Sequence, residues 1–387
     1  MPSTSPRLAI ILSHPVQYYS PWFRWLTAHT QLNLRVFYLW DAGITPTRDH
    51  QFGHSFAWDV DLLSGYAHEF VTNVARDPGT HHFSSLHNPS LRARLQDWAP
   101  DAILIFGYAY RTHLGLFRRP PAPLVFRGDS HLLGHPAPSW LKRTVLRWIY
   151  SRCKAVTYVG QANRDYFLTF GVPESKLHFA PHCVDASRFT RTPEVLETAR
   201  GLREKLSLSD KKIILFAGKL VPAKAPFSLL EAFIQLNSPT TALVFVGEGP
   251  ERNRLETLAA TRPDLTVRFL PFANQSEMPS RYALADIFAL PSTGLYETWG
   301  LSINEAMHMG VPCLVSNRVG CQQDLVTEGK TGWVFSVSEP EALSRALHRA
   351  LAANLESMRA NIAVRISGYT YEKAADGLLS AITSLDA

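Results

Sequence analysis

No stretch of this chain approaches the ~20 consecutive apolar residues that a membrane-spanning helix needs. The N-terminal apolar run Leu8 to Leu12 is five residues long behind a single Arg, too short for the core of a signal peptide. The expected location is the cytoplasm. Cysteine is scarce: Cys153, Cys183, Cys313 and Cys321 show no CxxC spacing, which excludes a zinc ribbon or a dithiol redox motif and predicts free thiols. Histidine is plentiful but not paired along a helix. Thirteen of the fifteen precede residue 190, and no helix read from the sequence carries two of them four apart, the arrangement that puts two ligands on one face. No metal site and no cofactor is expected. Low-complexity tracts, short internal repeats, zinc fingers and RNP-like aromatic strands are also missing. Disorder and solenoids therefore drop out, and nucleic acid ranks last among partners.

What remains is a soluble globular composition, 46% hydrophobic and 19% charged over 387 residues, long enough for two well-packed domains of about 190 residues each. Charge is unevenly divided. Residues 1–190 carry 19 Lys and Arg against 12 Asp and Glu, a surplus of seven, whereas residues 191–387 carry 20 against 21. The basic half should meet an anionic partner. Apolar runs ending in polar turns at Arg7 to Ser13, Leu34 to Leu39, Ala102 to Phe106, Leu124 to Phe126 and Ala155 to Val159 alternate with helical patterns such as Tyr18 to Ala28. That is the pattern of buried parallel strands in a doubly wound α/β unit. After the second run, Trp40 to Tyr66, with Asp41, Asp49, His50, His54, Trp58 and Asp59, is a long loop of the kind that carries function. Residues 181–210, broken by Pro181 and Pro193, read as a linker, and a second alternating series follows from Ile213 to Val315. The predicted domains are 1–190 and 191–370, both Rossmann-like, with a closing helix in 371–387 whose apolar stripe is Ala374, Ala375, Leu378, Leu379 and Ile382.

Chemistry concentrates between Glu297 and Gly310. Gly300 follows the apolar run Ile287 to Leu290 and the turn Pro291 to Gly294, so a strand ends, a loop carries Glu297, and a helix opens near Ser302. The first N–H groups of such a helix lack internal partners and sit at the positive end of its dipole. Gly300, Leu301 and Ser302 therefore make an anion site suited to phosphate. Glu305, a turn further on, has two readings. Its carboxylate can accept hydrogen bonds from vicinal hydroxyls such as those of a ribose, or Ser302-Ile303-Asn304-Glu305 can close a capping box in which Glu305 bonds back to a backbone N–H. The residues alone leave both open.

Three other stretches bear on the site. Gly218 to Lys224 follows a strand and places Lys219 and Lys224 on a loop beside the expected phosphate site, unless both are solvated. Gly247-Glu248-Gly249-Pro250-Glu251-Arg252 begins like a dinucleotide fingerprint, but Arg252 occupies the position that needs a small residue. A strand-to-helix turn with Pro250 opening the helix explains it better. Trp140 to Lys154 puts Leu141, Val145, Trp148 and Ile149 on one face, with Lys142, Arg143, Arg147, Arg152 and Lys154 largely elsewhere. Such a helix packs on a sheet or lies on anionic lipid at the inner membrane face.

Glu-x7-Glu at 297 and 305, followed by Ala306-Met307, Gly310-Val311-Pro312 and Asn317-Arg318-Val319-Gly320, resembles the retaining family-4 glycosyltransferases of GT-B architecture. The similarity is strongest over Gly218 to Gly332. It extends more weakly to Ser13-His14-Pro15-Val16-Gln17-Tyr18 and Val159-Gly160-Gln161-Ala162-Asn163. The resemblance implies two Rossmann-like domains with a deep interdomain cleft, the first binding the acceptor and the second a nucleotide-sugar donor, and a last helix crossing back onto the first domain. It implies that Glu305 holds the ribose, Glu297 contacts the sugar, and Lys219 and Lys224 meet the pyrophosphate. Lys219 stands where relatives carry Arg, so a bidentate fork becomes a point charge. Where relatives show a His-Gly or His-Asp pair, this chain has Arg127-Gly128-Asp129-Ser130-His131. Asp129 is the first substitute for that role and His131 the second, while Arg127 binds an acceptor anion or pairs with Asp129. His14 and Gln17 sit on the first strand-to-helix turn, facing the cleft in this architecture, and are candidates for a donor phosphate or acceptor hydroxyl.

The function so implied is transfer of a hexose from a nucleotide-diphosphate sugar to the hydroxyl of a glycan, lipid-linked or small-molecule acceptor, metal-independent and by front-face attack assisted by the donor phosphate. A GT-B sugar-nucleotide epimerase and a catalytically silent sugar-nucleotide binding partner are the alternatives, the second suggested by the altered Lys219 and Arg127-Gly128-Asp129 positions.

Overall fold

The computed structural model describes residues 5–42 and 58–385, together with the backbone of 47–48 and 55–56. Asp49, His50 and His54 of the long loop lie outside the described residues. The strands of the first half are β1 (Arg7–Leu12), β2 (Asn33–Tyr38), β3 (Thr47–Arg48), β4 (Ser55–Phe56), β5 (Ala67–Phe70), β6 (Ala102–Phe106), β7 (Leu124–Arg127), β8 (Ala155–Tyr158) and β9 (Leu177–Phe179). Those of the second half are β10 (Lys212–Ala217), β11 (Thr241–Val246), β12 (Thr266–Leu270), β13 (Ile287–Leu290), β14 (Cys313–Ser316) and β15 (Gly332–Phe335). They form a seven-stranded sheet ordered β5-β2-β1-β6-β7-β8-β9 and a six-stranded sheet ordered β12-β11-β10-β13-β14-β15. A β3-β4 ribbon stands apart.

Pairing within both large sheets is parallel, and Leu8 to Leu12, Ile213 to Ala217 and the whole of β11 and β13 are buried. Such strands need cover on both faces, which is why they read as unbroken apolar runs. In the first sheet α1 (Ser20–His29) covers one face through Trp22, Phe23 and Leu26. The other face is covered by α2 (Leu91–Trp98), α3 (Arg111–Arg118), α4 (Trp140–Ser151) and α5 (Gln161–Thr169), through residues such as Leu95, Phe117, Ile149 and Phe167. Each sheet reverses its strand order at one point, β1 beside β6 and β10 beside β13, and ligands of such sheets bind outside the strand ends at that crevice.

Four expectations change. The segment read as a linker contains the helix Pro193–Lys205: Thr192 caps it by accepting from the Val195 N–H, and Pro193 occupies the first turn, where its missing N–H costs nothing. The strand expected to stop at Phe126 runs on to Arg127, so that side chain turns into the core. On α4 the stripe buried against the sheet is Leu146, Ile149 and Tyr150, which shares only Ile149 with the expected one. The Tyr150 ring meets Phe126 and Phe167 at 5.2 and 5.3 Å, aromatic contacts that decide which face turns inward. On the closing helix Tyr371–Thr383, Ala374, Ala375, Gly377, Leu378 and Ala381 are buried, whereas Leu379 and Ile382 are half-buried. That helix lies on β8 and β9 of the first sheet, and Gly377 permits the approach, since a Cβ there would stand 1.9 Å from the Phe179 carbonyl oxygen. All four cysteines are free and buried. No helix among the described residues is long and apolar enough to cross a membrane.

Candidate active site

Both switch points open onto a cavity of about 400 Å³ between the two sheets. The loop after β1 brings Val16, Tyr18 and Tyr19 to it, and the loops after β10 and β13 bring Gly218, Lys219, Lys224 and the segment Tyr296 to Ser302. Gly300 caps the helix Leu301–His308 with φ of 94°, and a Cβ there would stand 2.9 Å from Val319 and 3.1 Å from Leu290. Only glycine takes both the left-handed backbone and the close packing. Gly300→Ala should therefore cost about 1–2 kcal/mol of stability or more, read as a lowered melting temperature, with donor affinity falling as the helix start moves. The helix geometry leaves the Leu301 and Ser302 N–H groups without internal partners, at the cavity wall.

The two carboxylates of the motif hold different partners. Glu297 Oε2 accepts from Lys224 Nζ at 2.7 Å and from Ser292 Oγ at 2.9 Å, so one predicted sugar contact and one predicted phosphate contact are paired. Glu305 is fully buried, and its Oε2 accepts from the Tyr282 hydroxyl at 2.6 Å. Its Oε1 is buried with no hydrogen-bond partner, although the Tyr18 hydroxyl and Gln275 amide face the same carboxyl. Burial pushes its pKa up to about 7, against the pull of those donors. The capping-box alternative fails: the cap is Gly300, not Ser302, and the carboxylate points to phenols rather than to a backbone N–H.

From the first domain, Asp129 also lines the cavity. Its Oδ2 accepts from Thr298 Oγ1 at 2.9 Å, across the cleft, and lies 3.4 Å from His182 Nε2. Burial pushes the Asp129 carboxyl up, but His182 and Thr298 outweigh it and hold the pKa below its ordinary value. Burial likewise lowers the His182 pKa. His182 was not singled out in the sequence; its only signal was its place just past β9, at the carboxyl edge of the sheet. Tyr18, Gln275, Tyr282 and Thr298 were also unmarked as site residues, each being polar only at its tip or in an unremarkable loop.

Four predicted residues do not border this cavity. Arg127 is buried and donates to the Ala180 and Pro181 carbonyls at 2.9 and 3.3 Å, with its guanidinium over the Trp22 ring. It does not pair with Asp129, because its strand position points it inward. His131 accepts from the Leu133 N–H through Nδ1 and donates through Nε2 to the Glu297 carbonyl at 3.2 Å. Nδ1 is thus engaged within its own loop, and Nε2 braces the Glu297 loop. His14 is hydrogen-bonded to Ser13, edge-on to Trp40, and pushed down to a pKa of about 4 by burial. It is a neutral ring held in the turn, outside the cavity lining. Gln17 faces the Tyr18 hydroxyl. Asp77, His81 and His82 do converge on one exposed loop, but His81 and His82 hydrogen-bond Asp77 at 2.9 and 3.2 Å, which accounts for the cluster.

Further bonds join the domains around the cavity. Asn304 Nδ2 donates to the His182 carbonyl at 3.0 Å, and both Asp324 oxygens accept from the Gln161 N–H that opens α5. On the opposite rim Asp59 accepts from Ser276, and the Trp58 and Phe272 rings lie 6.3 Å apart.

Residues 18–188 match the family model of Glycosyltransferase Family 4, and residues 200–367 match that of Glycosyl transferases group 1. Over 221 residues the chain is 35% identical to a GDP-mannose-dependent alpha-(1-6)-phosphatidylinositol monomannoside mannosyltransferase of Mycolicibacterium smegmatis, covering 54% of this chain and 56% of that protein. The chain thus spans about half the length of the curated relatives it matches. Among solved structures, Anabaena HepE in complex with UDP superposes with a TM-score of 0.71 at 18% identity, covering 98% of this chain and 100% of that one. A glycosyltransferase from Rickettsia africae gives 0.73 at 14% identity, covering 98% of each chain. The fold is GT-B.

Proposed function

We propose that this chain, a family 4 glycosyltransferase domain followed by a group 1 domain, moves a hexose from a nucleotide-diphosphate sugar onto an acceptor hydroxyl without a metal and with retention of configuration. The observation that carries the reading is one cavity lined by a helix N-terminus, two lysines and the two motif carboxylates of different character. Glu305, its Oε1 unpartnered, is placed for the ribose hydroxyls. The Leu301 and Ser302 N–H groups with Lys219 and Lys224 suit the diphosphate. Glu297 and, across the cleft, Asp129 reach the sugar. No side chain is asked to be a nucleophile. The protein's task is to stabilise charge growing on the leaving diphosphate with donors already in place, and the domain contacts around the cavity limit water. A glycan, lipid-linked or small-molecule acceptor enters from the first-domain side. The mannosyltransferase relative, with its nucleotide-sugar donor and lipid-linked acceptor, supports this direction.

Calorimetry and thermal shift with UDP-, GDP-, ADP- and dTDP-sugars identify the donor, since a ligand of the folded state raises its apparent stability. Donor turnover and the anomeric configuration of the product then test the reaction. Turnover should persist in EDTA, because lysines and helix N–H groups supply the positive charge; loss in chelator with recovery in magnesium or manganese would sink the metal-independent site. Release of an epimerised donor without acceptor would assign the cavity to epimerisation, and tight binding without turnover to a silent partner.

A further inference from the structure

We propose that the outer face of α3 and α4 is a docking surface for a bilayer carrying anionic lipids, with the cavity between α2 and α3 receiving a lipid phosphate. The proposal rests on the glycosyltransferase reading only in taking the acceptor to be membrane-borne. On α4 the residues turned away from the sheet are not all polar: Trp140 is 77% exposed, Leu141 57% and Val145 46%. Leu141, Val145 and the half-exposed Trp148 fall at i, i+4 and i+7, one continuous ridge. Exposed Lys142, Arg143 and Arg147 are interleaved with it, and the Arg152 guanidinium sits over the Trp148 ring.

The same chemistry continues on α3, which packs on the same face of the sheet. Leu114 is exposed there between Arg111 and Arg118, with Arg119 following. A cavity of about 340 Å³ between α2 and α3 is lined by Arg92, Arg111 and Arg118 and by no carboxylate. Neither α3 nor α4 contains an acidic residue. Elsewhere in this domain Arg94 and Arg164 are paired with Glu69 and Glu174. Among the described residues none of the α3 and α4 cations has a carboxylate partner.

Uncompensated cations beside an exposed aromatic and aliphatic ridge match a bilayer surface, where the ridge enters the headgroup boundary and the cations meet lipid phosphates. Nucleic acid would use the cations but leave the ridge in water. The position fits an acceptor delivered from lipid. α4 begins directly after the loop whose His131 and His135 bond the Glu297 and Leu295 carbonyls at the cavity rim.

The test is co-sedimentation of the full chain with vesicles of phosphatidylcholine alone and of phosphatidylcholine mixed two to one with phosphatidylglycerol. Binding is expected only to the mixed vesicles, with a blue shift of tryptophan emission that Trp140→Phe diminishes, and with loss on adding salt. Each cation near an anionic surface is worth about fivefold in partition, so Lys142→Gln, Arg143→Gln and Arg147→Gln together should weaken binding about a hundredfold. Trp140→Ser with Leu141→Ser should weaken it without changing the salt slope. Arg111→Gln with Arg118→Gln should reduce the preference for phosphatidylglycerol. Donor turnover in vesicle-free solution is measured on every variant and should match the unaltered chain. If that turnover is absent throughout, the glycosyltransferase reading fails while the vesicle result still decides the docking face. No pelleting with mixed vesicles at low salt overturns the proposal. So does retention by an RNA oligomer in place of vesicles, or saturation of the arginine cavity by free inorganic phosphate while vesicles stay unbound.

Discussion

Lys224→Ala is expected to lower turnover by about a hundred- to a thousandfold while weakening donor affinity far less. Its ammonium lies at the cavity wall beside the helix N-terminus, and charge on the leaving diphosphate is greatest in the transition state. Removing one preorganised donor to such charge costs on that scale. A second effect works in parallel and has to be separated. Lys224 is the ion-pair partner of Glu297, whose carboxylate keeps only the Ser292 hydroxyl once the lysine is gone. A carboxylate left short of partners costs about 1–3 kcal/mol, which lowers the melting temperature and lets the loop shift. Adding Glu297→Gln to Lys224→Ala removes that stray charge. If the double variant recovers stability but not turnover, the lysine acts on the leaving group. If turnover returns with stability, Lys224 only positioned Glu297. Unchanged turnover in the single variant would make it a surface lysine.

The fold was legible because parallel strands buried on both faces write themselves as continuous apolar runs, so β1, β10, β11 and β13 needed no tertiary information. Elements apolar on more than one side were not. Helix α4 carries Leu141, Val145 and Trp148 on one ridge and Leu146, Ile149 and Tyr150 on another; periodicity finds both, and only the rings of Phe126 and Phe167 say which one the sheet takes. Arg127 was misplaced by a single residue of strand length, which turned a presumed pocket group into a core one. The polar network around Asp129 was hidden for a different reason. Its partners His182 and Thr298 are 53 and 169 positions away, and spacing rules see only neighbours. The Glu297 to Glu305 motif was legible as a pair of carboxylates on a helix start, but whether Glu305 was a cap or a ligand group depended on the left-handed Gly300, which shifts the cap two positions upstream of Ser302.

Glu305→Gln separates stability from binding more sharply than any other change in the cavity. In the folded chain the carboxyl is raised to about 7 from an ordinary 4.5, so between those values the folded state holds a proton that the unfolded chain has released. Stability contributed by this group is therefore full below about 4.5, declines as pH rises, and is lost above about 7, a swing of about 3 kcal/mol. Glutamine cannot ionise, and its amide oxygen still accepts from the Tyr282 hydroxyl. The variant should consequently melt at the same temperature or higher at pH 8 and should lose the decline between pH 5 and 8. Donor binding should move the opposite way. Two ribose hydroxyls donate best to the ionised carboxylate, so affinity in the unaltered chain should rise with pH through about 7, with a proton released on binding. Glutamine offers one acceptor oxygen and no charge, and should cost about 2–4 kcal/mol of donor affinity, roughly thirty- to a thousandfold, with the pH dependence flattened. Calorimetry in two buffers of different ionisation enthalpy measures the affinity and the proton together. Donor affinity that stays intact, with only the melting curve changed, would make Glu305 a structural acid and leave the ribose without its acceptor.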